Sequence, residues 1–448
     1  MQFLNIIKSR QTYPSILQIS NITSFWKRKG DKTDLDNERG IFNVPKIRSI
    51  LDKLIFSDIY QTVDNNMSSS NIGGRKNRNI RDHLFVVHAI MNDIKHNKHS
   101  KDIDIQIFDV TKCFDKLEFT NTAIDLFKAG VQDDKFLIVT NSNRTNNVAI
   151  KTPLGKTKRT RLNNVEMQGT VLAGLKCAVS IDSIGKEALE NTEANLFRYK
   201  NCISIPPLSF IDDILTISEC SPDTILQSAT INAKLQGKQL CLNEKKCSKI
   251  HIGKLKDKSL CSDSFVKISS QERYLGDLLT SDGKIDDNIS DRNKKGIGLV
   301  NQILGILREI TFGKYYFEQA LLLRNAKFIN GILCSIEAIH GLSKKHIELL
   351  ESCDRYLFRM IFNSPVSTAT ESFYIETATM PLRFTIMGRR LLFYWSILNK
   401  PEKELAKQVL QAQECAPVKN DWCMTVKEDL DFLHIDLTEK EITKMKKS

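Results

Sequence analysis

From residue 203 to residue 217 the chain reads Ile203-Ser204-Ile205-Pro206-Pro207-Leu208-Ser209-Phe210-Ile211-Asp212-Asp213-Ile214-Leu215-Thr216-Ile217. Two short apolar, β-prone runs flank a pair of aspartates, the pattern of a hairpin hinged at Asp212-Asp213. Two adjacent charges between buried-type strands are costly unless a metal or another cation compensates them. A turn that uses aspartate for its own backbone hydrogen bonds accounts for the same residues, and on this segment alone both readings stand. Context sets the pair apart from Asp133-Asp134 and Asp286-Asp287, whose polar surroundings suit a turn or a helix cap.

Working outward, Ile103, Ile105 and Ile107 alternate with Asp104, Gln106 and Phe108, a period of two that predicts a strand ending at Asp109. One carboxylate at a strand end and two at a hairpin tip make a set suited to hard divalent cations, because the backbone fixes their positions. Two such ions ~3.5–4 Å apart suit an in-line displacement at phosphorus. Helical spacing is present from Arg81 to Ile94 and from Thr122 to Ala129, the latter closed by Gly130. After Ile285 the character changes. Ile289, Ile297, Val300, Leu304, Leu307 and Ile310 recur at three- and four-residue steps, and further helices are predicted at Phe317 to Ile339, His346 to Phe362 and Leu382 to Leu398. Mixed α/β first and helical afterwards predicts an α+β fold with a helical extension.

At 448 residues the chain exceeds one compact core and suits two to four subdomains. The longest uncharged apolar stretches, such as Phe328 to Ile336, fall short of the ~20 residues a bilayer-spanning helix needs, so no membrane partner is expected. The first residues have no long apolar run and no small-residue cleavage site, so no secretory signal is expected. Eleven cysteines, an odd number without CxxC spacing, read as reduced intracellular thiols. Cys415, Cys423 and His434 match no zinc spacing and, like the eight histidines, are read as packing or surface residues. The formal net charge of +12 is concentrated: Arg144, Lys151, Lys156, Lys158, Arg159 and Arg161 fall between Asn141 and Asn164 with no acidic residue among them. A second basic cluster runs from Gly73 to Arg81. Such stretches favour a polyanion, with nucleic acid the leading candidate.

Ile107-Phe108-Asp109-Val110-Thr111-Lys112-Cys113-Phe114-Asp115 resembles motif A of reverse transcriptases. Phe210-Ile211-Asp212-Asp213 resembles motif C, with Phe-Ile where Tyr-Ala is more familiar. Met167-Gln168-Gly169-Thr170 resembles motif B, Asn243-Glu244-Lys245-Lys246 motif D, and Arg273-Tyr274-Leu275-Gly276 motif E. Each is short; together they keep the family's order. Trp26 to Asp31 and Asn37 to Ile41 are similar to fingers segments of LINE-type (non-LTR) retrotransposon enzymes. Leu349 to Asp354 and Pro381 to Leu392 look like the helical region after the thumb in that family.

The resemblance implies a right-hand polymerase: fingers at 1–95 (N-terminally truncated, without the family's endonuclease), a palm with interleaved fingers segments at 96–282, a helical thumb at 283–345 and a helical C-terminal extension at 346–448. It implies an RNA-directed DNA polymerase that copies retrotransposon RNA by two-metal nucleotidyl transfer. Magnesium, or manganese, would be the cofactor, and an RNA template, a DNA primer and deoxynucleoside triphosphates the partners. Oligomeric state is left open, and nuclear residence follows from the family's habit of priming at chromosomal targets. Asp109, Asp212 and Asp213 would be the metal ligands, and Lys246 would protonate the leaving pyrophosphate. Arg39, joined by one of Lys27, Lys29 and Lys32 with Lys29 preferred, would grip the triphosphate. Phe114 stands at the steric-gate position, and Gln168 and Gly169 would meet the nucleotide and template. Tyr274, Leu275 and Gly276 would hold the primer end, and Lys151, Lys156, Lys158, Arg159 and Arg161 would follow the phosphates. Motif B departs from its commoner form, with Met167 where a proline precedes Gln-Gly and Ala173-Gly174 where a proline is frequent. An inactive or repurposed remnant that binds nucleic acid without polymerising is the competing reading, motivated by the truncation. A group II intron maturase would share the palm motifs but not the downstream likeness.

Overall fold

The computed structural model describes residues 2–28, 30–97, 101–142, 146–152, 154–162, 166–190, 196–219, 221–253, 266–310 and 313–435. After a short helix at Gln2–Ser9 the chain lays down two antiparallel strands, β1 (Ile19–Trp26) and β2 (Glu38–Asn43), in a register that sets Phe25 opposite Arg39. Helix α1 (Ile80–His96) starts on a capping box in which Asn79 accepts from the Arg81 amide and Asp82 reaches back to the Asn79 amide. Every residue of α1 from Asp82 to Ile94 is buried, so this helix is the hub of the molecule. Strand β3 (Ile103–Asp109) ends on the aspartate, where the alternation placed its end. Strand β4 (Asn147–Thr152) returns to the first sheet, parallel to β1, and two short strands, Gly155–Lys156 and Thr160–Arg161, pair with it.

Helix α2 (Val171–Glu190) leads to the hairpin of β5 (Leu208–Phe210) and β6 (Asp213–Ser218). With β7 (Ser248–Ile252) these complete a central antiparallel sheet in the order β7-β3-β6-β5, extended at its outer edge by Lys267–Ile268, which runs parallel to β7. A second hairpin, β8 (Gln271–Tyr274) and β9 (Asp277–Thr280), turns on Leu275 and Gly276. Both turn residues have positive φ, +49° and +87°, as a two-residue hairpin of right-handed twist requires. The rest is helical, led by α3 (Asp286–Leu307), α4 (Lys344–Phe362) and α5 (Leu382–Leu398).

The central sheet is covered on both faces, which changes the reading of β3. Ile103, Ile105 and Ile107 face α1 and the C-terminal helices, whereas Phe108 and Ile214 face α2 and the helix Ser221–Gly237. The polar residues of the strand are therefore buried too, and they carry their own partners. Asp104 receives Thr224 Oγ1 at 3.0 Å and His251 Nδ1 at 2.9 Å, and Thr216 Oγ1 lies 3.3 Å from Gln106 Oε1.

The single helix predicted from Phe317 to Ile339 is broken. It runs as Lys314–Leu323, a π-helical turn Arg324–Ile329, a short helix Asn330–Ile332 and a 3₁₀ turn Ile336–Ala338. The break begins at Arg324, which turns inward to form two bonds of 2.7 and 2.6 Å with the buried Asp354. Gly331 then lies so close to α3 that a Cβ there would stand 2.4 Å from Leu299 Cδ1. Two further helices, Leu405–Cys415 and Trp422–Phe432, fold back onto α1. Trp422 packs edge-on to Phe85 and Phe393, with ring centroids 5.1 and 5.7 Å away, and donates to the Glu337 carbonyl at 2.7 Å.

Candidate active site

Asp109 and the distant Asp212-Asp213 pair come to the same end of the central sheet. Strands β3 and β6 are in register with Asp213 opposite Asp109, and Phe210 faces Asp213 across the hairpin, so Ile211 and Asp212 form the turn. The Asp212 carbonyl accepts from the Val110 amide at 3.2 Å, tying that turn to the residue after Asp109. Ile211 has φ +57°, a left-handed conformation that costs a β-branched residue roughly 1–2 kcal/mol. Such strain persists where the surroundings over-determine it. Here they do: Gly73 lies directly under the turn, where a Cβ would stand 2.6 Å from the Ile211 nitrogen. Just before it in the chain, Ser70 and Ile72 bond the Ser209 backbone at 3.0 and 3.1 Å. Between those two, Asn71 donates to the Ala178 carbonyl of α2 at 2.9 Å.

Burial, then the facing charges of Asp212 and Asp109, pushes the Asp213 carboxyl up to about 6. Burial and Asp109 raise Asp212 as well, against the opposing charges of Lys246 and Arg39. Lys246 Nζ stands 3.0 and 3.1 Å from the two oxygens of Asp109. It sits in a tight turn whose first residue, Asn243, donates its amide to the Asp109 carbonyl at 2.8 Å. In this arrangement, among the described residues, no three His, Cys, Asp or Glu side chains are drawn together closely enough to hold a metal ion. The donor set still fits a hard divalent cation. It consists of carboxylates alone, two of them with proton affinity raised by burial and then by like charge, and the cation now at Asp109 is an ammonium on a flexible stem.

The first sheet brings a basic residue near the carboxylates. Arg39 is exposed on β2, and its charge is felt at Asp212. The Gln168 carbonyl accepts from the Phe42 amide at 3.0 Å, which docks the loop before α2 against β2. Gly169 has φ +106°, a conformation that favours glycine, while a Cβ there would meet Ile41 and Phe42 only at ordinary contact distances of 3.4 and 3.5 Å. Phe114 is half-buried in the helical turn Cys113–Lys116, packs on the same apolar cluster as Ile211, and accepts at its carbonyl from the Glu166 amide. Lys29 lies outside the described residues. Lys32 stands over the Trp26 ring at 4.9 Å.

Two expectations need correction. Tyr274 is 1% exposed and bonds His83, so its side chain is withdrawn from any primer, and only the turn Leu275-Gly276 lies at the surface. The basic cluster 73–81 is not an open polyanion site. Arg75 is buried against Asp64, Arg78 bonds Glu404 at 2.5 Å, and Arg81 pairs with Glu337, so folding has already neutralised them. The other run behaves differently. Lys151, Lys156, Lys158, Arg159 and Arg161 are all exposed, and Lys151 stands directly opposite Lys156 in the β4 hairpin. Like charges facing across a strand pair are destabilising, and among the described residues no acidic side chain pairs with Lys151, Lys156, Lys158 or Arg159. Sequence reasoning missed Asn71 and Gly73, although the doublet Gly73-Gly74 is a readable sign of close backbone approach.

The family model described as reverse transcriptase (RNA-dependent DNA polymerase) matches residues 28–278, more than half of the chain. No curated protein matches. Among solved structures, apo telomerase from Candida tropicalis lacking its C-terminal domain is 15% identical with a TM-score of 0.44, over 62% of this chain and 57% of that one. Apo telomerase from the same organism is 15% identical with a TM-score of 0.45, over 98% and 73%. The RNA-dependent RNA polymerase of a human picobirnavirus is 10% identical with a TM-score of 0.40, over 75% and 56%. The chain thus spans little more than half the length of the first of these. The family match begins before Arg39 and ends beyond Gly276, taking in Arg39, Gln168, Gly169 and all three aspartates, and the chain belongs to the reverse transcriptase family.

Proposed function

We propose that the chain is the polymerase portion of a LINE-type (non-LTR) retrotransposon reverse transcriptase, extending a DNA primer along an RNA template with deoxynucleoside triphosphates. One observation carries the reading: the register that sets Asp213 opposite Asp109, with Asp212 in the adjoining turn. What supports the finer assignment is the likeness of Trp26 to Asp31, Asn37 to Ile41, Leu349 to Asp354 and Pro381 to Leu392 to segments of that family.

Asp109, Asp212 and Asp213 would hold two divalent ions, magnesium or manganese, whose chemistry is to sharpen the primer 3′-hydroxyl as a nucleophile and neutralise the leaving pyrophosphate. Arg39 would clamp the triphosphate with its planar fork of donors. The bond from the Phe42 amide to the Gln168 carbonyl and the left-handed backbone at Gly169 would hold Gln168 where a nucleotide enters. The Phe114 ring would fill the space that a ribose 2′-hydroxyl needs. Lys246, whose ammonium already stands beside Asp109, would hold the proton that pyrophosphate takes on leaving. The exposed lysines of the β4 hairpin would follow the phosphates of the hybrid without reading its sequence.

Purified protein should extend a DNA primer annealed to RNA when magnesium is present. Asp212→Ala should abolish extension and leave hybrid binding intact. Tight binding without extension by the unaltered chain would instead mark a nucleic-acid-binding remnant.

A further inference from the structure

Tyr274 and His83 are both buried, come from different elements (β8 and α1), and spend their polar atoms on each other. The Tyr274 hydroxyl lies 3.0 Å from His83 Nδ1, and His83 Nε2 lies 2.9 Å from the Ser70 carbonyl. A carbonyl only accepts, so Nε2 carries the hydrogen, Nδ1 is the acceptor, and the tyrosine donates. Burial holds the imidazole down to about 3, which keeps this neutral tautomer in place at any working pH. The Ser70 carbonyl accepts a second bond, 3.0 Å from the amide of Ser209. Ser209 lies on β5, two residues before the strained Ile211.

We propose that His83 is a positioning residue that couples the turn Leu275-Gly276 to the hairpin carrying Asp212 and Asp213, with Tyr274 acting through it. The proposal rests on the reading of that turn as the seat of the primer end. An unbroken line of hydrogen bonds leads from Tyr274, the residue before the turn, through His83 and Ser70 to β5. Ser70 cannot drift, because its neighbours are pinned. The Ser68 amide donates to Asp182 Oδ1 of α2 at 3.0 Å, Asn71 is bonded to Ala178, and Gly73 lies under Ile211. Packing alone would be served by two phenylalanines, whereas a buried imidazole and phenol are costly unless paired. Their pairing sets the distance between primer end and carboxylates, the quantity to which an in-line displacement is most sensitive.

Tyr274→Phe removes one oxygen and leaves the packing. At saturating hybrid and nucleotide it should lower kcat about tenfold while the nucleotide KM stays within about twofold. Its melting temperature should fall by only a few degrees, the cost of leaving His83 Nδ1 buried without a donor, so the rates are compared well below it. His83→Leu should lose at least as much, and His83→Gln, which can still donate to Ser70 and accept from Tyr274, should recover most of the loss. The double variant Tyr274→Phe/His83→Leu should be no slower than His83→Leu alone. A Tyr274→Phe protein that turns over at the unaltered rate, or losses that multiply in the double variant, overturns the coupling and leaves the polymerase reading standing. An unaltered chain that extends nothing overturns both.

Discussion

Asp213 binds its proton more tightly in the folded chain, at about 6, because it is taken from water and faces Asp212 and Asp109. In the unfolded chain it titrates near an ordinary aspartate, about 3.9. The folded state therefore holds the extra proton between those values. The stability this gives is complete below about 4 and lost as pH rises through about 6. In metal-free buffer the unaltered chain should lose melting temperature relative to Asp213→Asn across that window, and magnesium should cancel the difference near neutrality. A gap that does not change with pH contradicts this account of the site. Asp109 and Asp212 were singled out by the resemblance to motifs A and C, since an ordinary hairpin turn accounts for the doublet equally well. The burial of Tyr274 and Arg75 was not legible. A tyrosine after a polar strand residue looks the same in sequence whether it faces in or out. Nothing near Arg75, Arg78 and Arg81 announces that Glu404 and Glu337 will fold back onto them. Arg39 has no local signature either; only the resemblance singled it out.

Elements meet at Asp277 of β9, which is 2% exposed and lies 2.6 Å from His88 Nε2 of α1 and 2.5 Å from Arg292 Nη2 of α3. Burial would raise its carboxyl, but the hydrogen bond and charge of His88, with the charge of Arg292, outweigh that and hold it near 2. Its contribution to stability is thus present above about 4 and lost as pH falls towards 2. Asp277→Ala leaves the Arg292 charge buried without its acid and should cost ~3–5 kcal/mol, measured by urea unfolding at neutral pH. A loss under ~1 kcal/mol would show that the three elements are held together by other interactions. The limits of α5 were read from its apolar period, from Leu382 to Leu398, because a helix packed along one stripe records that stripe in its sequence. The same period misled from Phe317 to Ile339. It records which residues are buried, not that Arg324 will be drawn to Asp354 or that Gly331 must lie against Leu299. In β3 the alternation gave the strand but hid its second buried face, since buried Asp104 and Gln106 look like solvent residues until their partners are known.

Across the whole molecule, the net charge of +12 has an exposed concentration on the sheet that also carries Arg39. Replacing Lys151, Lys156 and Lys158 by glutamine should weaken binding of an RNA–DNA hybrid equally for all sequences. The slope of log affinity against log salt should flatten by roughly 0.7–0.9 for each phosphate that a lysine no longer neutralises. A sequence-dependent weakening, or an unchanged slope, contradicts phosphate tracking by this face. The order of mixed α/β followed by helices was visible in the pattern of periods. The return of Trp422 onto Phe85 was not, because packing between such distant segments leaves no periodic trace. A shared carboxylate site depends most on the long-range pairing of β3 with β6, which brings Asp109 to the hairpin. Single-turnover incorporation of one deoxynucleotide on an RNA template tests it directly, with Asp109→Asn, Asp212→Asn and the double variant compared. If the carboxylates act as one unit, each single change should cost about a thousandfold or more and the double no more than the worse single. Incorporation by Asp109→Asn at close to the unaltered rate, or losses that multiply in the double variant, would contradict a shared site.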